Sequence, residues 1–132
     1  MQYIIGNYLM KRGRKRNPFS KLLSNIKNSG GRARAMTKSR LGQKIPVSVT
    51  AQDLKEIYEN QNARCFWFNV PMELDLLYSN WHPLAPSADR LDESQGYHKQ
   101  NIVICTRLSN LGRQRYSIDK FHEIAEYLKK VF

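Results

Sequence analysis

The spacing of apolar positions changes between residues 88 and 115, and this pattern predicts two strands followed by a helix. Residues 88–91 can form a first strand and "DESQGYHKQ" the connection, while "NIVIC" at 101–105 has the β-branched character of a second strand. "TRLSNLGRQR" then changes to helical spacing and closes at Gly112. The pattern therefore predicts strand, loop, strand and helix in succession.

The segments on either side of this unit predict further elements. "IPVSV" alternates as a short strand, and Thr50 with Asp53 is typical of an N-cap ahead of an amphipathic helix. The aromatic stretch "NARCFWFNVPMELDLLYSNWHPLAP" predicts a hairpin and an ordered loop. Residues 117–131 have one apolar face and Ser117 as a cap, which predicts a C-terminal helix.

The N-terminal third differs in pattern and in charge. A short apolar-periodic piece around Leu22 and Ile26 is followed by a break at Gly30 and Gly31 and by a basic helix-like run over 32–40. One or two helices are expected here, which settle fully on nucleic acid or against the body. Residues 1–44 are therefore interpreted as an extension, and residues 45–132 as the domain.

The net charge of +11 belongs almost entirely to this extension. Residues 1–44 hold twelve Lys and Arg and no acidic residue, whereas residues 45–132 are nearly balanced. Such a block favours a polyanion partner, DNA or RNA ahead of an anionic membrane, over a tail that merely aids solubility. The candidate phosphate contacts in the extension are Arg12, Arg14, Lys15, Arg16, Arg32 and Arg34.

Length and composition limit the remaining possibilities. A chain of 132 residues predicts one compact domain, and no apolar run approaches a membrane span of roughly 18 residues. The order of apolar and charged residues at the N-terminus is the reverse of a secretion signal, so a cytoplasmic protein without a membrane association is expected. Cys65 and Cys105 are accordingly expected to be buried thiols without a disulfide.

The predicted strand, loop, strand and helix offer a way to hold one divalent ion. An acid on the first strand, Asp89, and an amide on the helix, Asn110, would project into the same groove. Oxygen ligands of this kind suit Mg²⁺ or Mn²⁺, which also take water and substrate phosphate oxygens. We therefore expect a single hard cation between these two side chains.

These residues resemble a known family, the HNH or ββα-metal (His-Me finger) endonucleases, and especially its phage-encoded members. The resemblance runs from about residue 45 to 115, and its core is the ordered set of Asp89, the pair Gly96 and Tyr97, then Asn101 nine residues before Asn110. It implies an α+β fold with a ββα-metal core at 85–115, flanking helices and a basic N-terminal helical extension. For a phage-encoded protein the compartment would be the bacterial host cytoplasm.

The resemblance assigns roles residue by residue. Asp89 and Asn110 become metal ligands, and Asn101 becomes the residue that braces the loop between the strands. Simpler roles stand beside these: Asp89 as a surface acid paired with an arginine, Asn110 as an ordinary polar helix residue, and Asn101 as a strand-start cap.

The sequence departs from the family where the catalytic histidine is expected. Arg90 occupies that position, and an arginine stays protonated, so it suits a phosphate clamp and not a general base. Some rare-cutting restriction enzymes of this class resemble the chain here, with an Asp-Arg pair and a Tyr seven residues later. The resemblance implies that Tyr97 orients the water or attacks directly; otherwise its ring simply packs in the turn. His82 is the alternative base, His98 ranks below it, and His122 is expected on the surface.

Many relatives also hold a structural zinc between two Cys-x-x-Cys pairs. This chain keeps Cys65, but the matching positions are Phe68, Thr106 and Ser109, and Cys105 is one residue out of step. Because a tetrahedral site needs four nitrogen or sulfur ligands, no structural zinc is expected. An aromatic cluster is expected to supply that stability instead: Phe66, Trp67, Phe68 and Trp81.

The leading hypothesis is a metal-dependent DNA endonuclease, with RNA or branched DNA as further substrates the motif admits. The alternative is a protein of the same fold that binds DNA or a host target without cleaving. Arg107, Arg113 and Arg115 are predicted to grip phosphates beside the helix, or else to be solvated charges on its outer face. Whether two protomers pair is left open.

Overall fold

The computed structural model describes residues 17–32, 45–79, 82–113 and 116–131, without the side chains of 29–32, 128 and 131. Several sequence predictions lie outside these residues: the phosphate contacts at Arg12, Arg14, Lys15, Arg16, Arg34 and Arg115, the side chain of Arg32, and the ring of Trp81. The elements are α1 (Pro18–Arg32), α2 (Ala51–Asn60), β1 (Pro86–Arg90), β2 (Ile102–Thr106), α3 (Arg107–Arg113) and α4 (Ile118–Val131), with 3₁₀ turns at Leu74–Tyr78 and Lys99–Asn101.

The predicted succession of two strands and a helix is present. β1 and β2 pair antiparallel, with Pro86 opposite Thr106 and Arg90 opposite Ile102. β2 is buried along its whole length, as its β-branched sequence favours, and α3 begins at the next residue. Helices and a two-stranded antiparallel sheet make the fold α+β.

The predicted strand at 45–49 is wrong. Only Val47 makes a bridge, in parallel orientation, and its partner is Tyr97 in the loop between β1 and β2. Pro46 has no N–H to donate, and its carbonyl instead accepts the N–H of Tyr97 at 2.8 Å. The segment therefore fastens a loop and adds no strand to the sheet. The predicted hairpin after α2 is likewise reduced to one bridge between Arg64 and Pro71.

The described part of the basic extension belongs to the core. α1 begins at Pro18, where the Asn17 side chain accepts the N–H of Phe19 at 2.9 Å. Phe19, Leu22 and Ile26 are buried in the same apolar cluster as α2 and β2. The predicted break at Gly30 and Gly31 is also wrong, because the helical backbone continues to Arg32. Packing of the apolar stripe outweighs the low helix propensity of two glycines.

The two helices with clear sequence caps form where they were predicted. Thr50 and Asp53 make a reciprocal capping box at the start of α2. The Ser117 hydroxyl accepts the N–H of Lys120 at 3.2 Å ahead of α4. α4 buries Phe121 and Ala125, with the Phe121 ring 5.0 Å from Trp67. None of the helices in the described ranges is both long and apolar enough to span a membrane.

Candidate functional site

The side chains that carry the predicted chemistry meet where α3 crosses β1. Alternate residues of a strand point to the same face, so Ser87 and Asp89 share one face of β1. Asn110 contacts Ser87, and Arg113 contacts Asp89, which places α3 against that face. The two predicted metal ligands therefore lie on neighbouring elements in contact.

Asp89 is buried, and one of its two carboxylate oxygens accepts hydrogen bonds. Its Oδ2 accepts the indole N–H of Trp67 at 3.0 Å and the Nη1 of Arg113 at 2.8 Å. Its Oδ1 accepts no hydrogen bond from any residue that the structure describes. Within the described residues the carboxylate is thus fixed through Oδ2.

Arg113 corrects a sequence prediction. The sequence predicts either a phosphate contact beside the helix or a solvated charge on its outer face, but the side chain is 3% exposed. Its guanidinium lies over the Trp67 ring at 4.9 Å and donates to the carbonyls of Arg90 at 2.6 Å and Leu91 at 2.9 Å. Its Nε is buried without a hydrogen-bond partner in the described residues. One turn after Asn110, this position faces β1, so Arg113 holds the end of the strand and not a phosphate.

Asn110 likewise uses only one of its two polar side-chain atoms in hydrogen bonds to described residues. Its Nδ2 donates to the Ser87 hydroxyl at 2.8 Å and to the Ala88 carbonyl at 3.2 Å. These two bonds fix the amide, and its Oδ1 has no hydrogen-bond partner among the described residues. Carboxamide and carboxylate oxygens are the ligand types that a hard cation prefers.

The loop between β1 and β2 is held by Asn101, in the arrangement expected of a brace. The buried Asn101 side chain accepts the N–H of Asp92 at 2.9 Å and donates to the carbonyls of Asp92 and Gly96, each at 3.0 Å. Asp92 adds a turn of its own, since its carboxylate accepts from Ser94 and Gln95. The bonds from Ser94 lower the pKa of Asp92 and keep it ionised.

The loop requires a glycine at position 96 for a steric reason. A Cβ built at Gly96 would lie 2.5 Å from the Pro46 carbonyl oxygen, so another residue could not approach that backbone. The close approach lets Tyr97 bond Pro46 and accept the N–H groups of Ser48 and Val49 at 2.9 and 3.0 Å. The "GY" pair therefore fixes where the Tyr97 ring stands.

Arg90 and Tyr97, the residues predicted for phosphate contact and catalysis, stack on one another. The Arg90 guanidinium lies 5.1 Å from the centre of the Tyr97 ring. Its Nη1 donates to the carbonyls of Glu93 and Gln95, which leaves its other N–H groups without partners in the described ranges. The Tyr97 hydroxyl also makes no hydrogen bond to a described residue.

An open groove of about 600 Å³ lies beside these side chains. One wall is α1, and the other is formed by β1, Tyr97 and α3. Its polar lining includes Asn25, Ser87, Tyr97, Arg107 and Asn110. Burial lowers the pKa of Arg107, although a guanidinium remains charged at neutral pH. The groove is therefore lined both by the partly buried guanidinium of Arg107 and by Asn110, one of the two predicted metal ligands.

The histidines stand apart from the groove lining. His82 Nδ1 accepts the N–H of Leu84 at 3.1 Å, so its neutral form carries the proton on Nε2. His98 lies between Gln95 and Gln100 in the loop. The His122 ring packs 5.1 Å from Trp67. Tyr97 is therefore better placed than His82 to act beside Asn110.

Three of the positions that match zinc ligands in relatives lie in contact, but with other chemistry: Cys65, Thr106 and Ser109. Cys65 Sγ lies 3.4 Å from the Ser109 hydroxyl, which in turn receives a hydrogen bond from Thr106 at 2.9 Å. The Phe68 ring packs against Phe121 at 6.0 Å. Burial raises the pKa of the Cys105 thiol well above its ordinary value. Hydroxyls and rings occupy the places where a zinc site would need thiolates.

Trp67, Ser87 and Asn25 are site residues that sequence reasoning missed. Ser87 was accessible to it, since it lies two residues before Asp89 on an alternating strand. Trp67 had been interpreted only as part of an apolar cluster. Asn25 gave no signal, because its place on the groove depends on how α1 packs against β1.

Comparison with known proteins adds no identification. No protein-family model matches the sequence, and neither the curated proteins nor the solved structures yield a significant match. Within the described residues, no three His, Cys, Asp or Glu side chains group to hold a metal ion. Functional inference therefore depends on Asp89, Asn110 and the groove.

Proposed function

We propose that the chain is an HNH-type endonuclease that hydrolyses phosphodiester bonds of DNA with one divalent cation. The observation that carries the proposal is the pair of unengaged oxygens, Oδ1 of Asp89 and Oδ1 of Asn110, on side chains fixed by other bonds. Protein sites for Mg²⁺ commonly use only one or two such ligands and complete the shell with water and substrate phosphate. Two protein oxygens would be enough for this ion, and β1, β2 and α3 would then act as a ββα-metal core.

The chain's own residues have separable roles in this reaction. Asp89 and Asn110 would hold Mg²⁺ or Mn²⁺, which when bound offsets negative charge on the scissile phosphate and the leaving oxygen. The free N–H groups of Arg90 would bind a phosphate oxygen and stabilise the charge that develops in the transition state. The Tyr97 hydroxyl would orient the attacking water.

A second candidate is a DNA-binding or host-targeting protein of the same architecture that does not cleave. The ion pair between Asp89 and Arg113 favours it, because the guanidinium offsets the charge that would attract a cation. This candidate keeps the groove and the basic N-terminal third as a binding surface, and it requires no metal.

A plasmid nicking assay separates the two candidates. We expect the full-length protein to nick supercoiled plasmid with Mg²⁺ or Mn²⁺, and to lose this activity in EDTA. Asn110→Ala should lower the nicking rate at least ~100-fold, since a cation is worth several kcal/mol of transition-state stabilisation. Asn60→Ala, the same change at an exposed position of α2, should leave the rate unchanged.

Two further results are decisive. Binding of plasmid and of single-stranded DNA without cleavage of either in any divalent cation would reject the nuclease and support the second candidate. Tyr97→Phe, which removes only the hydroxyl, should slow nicking, whereas His82→Ala should not; the reverse result would move the base to His82. Thermal unfolding of each variant checks that a loss of rate is not a loss of fold.

A further inference from the structure

The groove contains polar groups that folding leaves without partners. The Arg107 guanidinium, the Tyr97 hydroxyl and the Asn25 amide line it, and none of them makes a hydrogen bond or an ion pair with a described residue. Polar groups that line an open groove and have no protein partner are hydrated until a ligand binds, so they are available to one. Their convergence on one groove points to a ligand with both an anion and a hydrogen-bonding ring.

The charge of the groove selects the ligand further. Among the described residues that line it there is no Asp or Glu, and Arg107 contributes a positive charge there. Arg90 adds a second cation behind the Tyr97 ring, at 5.1 Å from its centre. The Tyr97 ring packs partly against the apolar core, and Tyr97 also lines the groove. A phosphate near Arg107 and a flat base near Tyr97 would satisfy both features.

We propose that this groove binds an unpaired nucleic-acid strand, with a phosphate on Arg107 and a base against Tyr97 and Asn25. The volume of about 600 Å³ is within the range of ~300–1,000 Å³ typical of small-ligand sites, which suits individual nucleotides. In a duplex the base faces are covered by stacking and are not available to a recessed ring. An unpaired strand would then be the substrate of the nuclease, and this inference rests on the proposed function.

The same geometry gives α1 a role beyond the core. Its apolar stripe is buried through Leu22 and Ile26, and these two residues also reach the floor of the groove. Asn25, on the same helix, then stands on the groove wall opposite Arg107 and Asn110. Because a carboxamide both donates and accepts, it can pair with the edge of a base. α1 is thus proposed as a substrate wall and not only as a carrier of charge.

Binding in EDTA tests the groove separately from cleavage. Fluorescence anisotropy of the full-length protein would be measured with labelled oligothymidylate, with oligouridylate, and with a DNA duplex of the same length. We expect Tyr97→Leu to weaken binding of the single strand about tenfold, the scale of one base stack. Arg107→Gln should reduce the slope of log K against log salt by about 0.7, the value of one single-strand phosphate contact. Tight binding of oligothymidylate or of oligouridylate that depends on Tyr97 and Arg107 supports the proposed single-strand site.

Matched controls make the result interpretable. Lys130→Gln removes one exposed charge from α4, and should leave the difference between single strand and duplex unchanged. If Tyr97→Leu does not fold, Asn25→Leu on α1 replaces it, with the same expected direction. Equal effects of the groove variants on strand and duplex, or no effect on either, would overturn the proposal. Strand binding without metal-dependent cleavage of that strand or of plasmid would instead reject the nuclease and retain the groove.

Discussion

Two arginines at opposite ends of α3 show how differently one helix uses the same side chain. Arg113 is 3% exposed, pairs with Asp89 and donates to two backbone carbonyls. Arg107 is partly buried against the groove and has no side-chain partner in the described part of the chain. Near Arg113 nearly every polar side-chain group has a hydrogen-bond partner. Near Arg107 several polar groups have no partner within the described residues.

The two arginines differ in whether the fold itself supplies their hydrogen-bond partners. A buried guanidinium is tolerated only when its charge and N–H groups are matched, and at Arg113 the fold supplies the match. At Arg107 the match must come from solvent or from a ligand. Asp89 belongs to the Arg113 region and Asn110 to the Arg107 region, and these are the two residues proposed to hold one cation.

Arg113→Met is expected to have the largest effect on stability. It would leave the Asp89 carboxylate buried without its countercharge, a change that typically costs ~3–5 kcal/mol. Urea unfolding measures the loss. Lys120→Met, which breaks an exposed pair with Glu123, should cost no more than ~1 kcal/mol. Adding Asp89→Asn to Arg113→Met should recover part of the loss; a cost below ~1 kcal/mol for Arg113→Met would mean that the ion pair does not hold this end.

Asn101→Ala is expected to have an intermediate effect at the same end of the structure. It would remove all three side-chain bonds of the brace and leave the Asp92 N–H without its acceptor. One unsatisfied buried group costs ~1–3 kcal/mol, and thermal unfolding should register a loss of that size. Native-state hydrogen exchange should locate faster opening at residues 91–97. Unchanged exchange there would show that the loop is held by Pro46 and Arg90 alone.

Arg107→Met sharpens the comparison because it is the same substitution six residues earlier on the same helix. Since Arg107 loses no described partner and a partly buried charge is removed, stability should change by less than ~0.5 kcal/mol or increase slightly. Urea unfolding would again give the value. A cost close to that of Arg113→Met would contradict the division of the helix into an occupied end and an available end.

Local sequence signals gave most of the secondary structure. The β-branched run of β2, the capping box of Thr50 and Asp53, and the Ser117 cap each depend on neighbouring residues, so they can be recognised without a fold. The strand expected at 45–49 failed because a strand needs a partner strand, and residue 47 meets only a loop. The break expected at Gly30 and Gly31 failed because tertiary packing can outweigh propensity.

For the candidate site, the sequence by itself determined the residue types and their order: an acid at 89, an amide at 110, a brace at 101 and the glycine that Pro46 requires at 96. The tertiary structure alone decided which polar atoms folding occupies. It buried Arg113, left Arg107 available, and brought Asn25 of α1 to the groove from more than sixty residues before β1 in the chain. The physical reason is that hydrogen-bond partners and burial depend on contacts between distant segments, which local spacing does not encode.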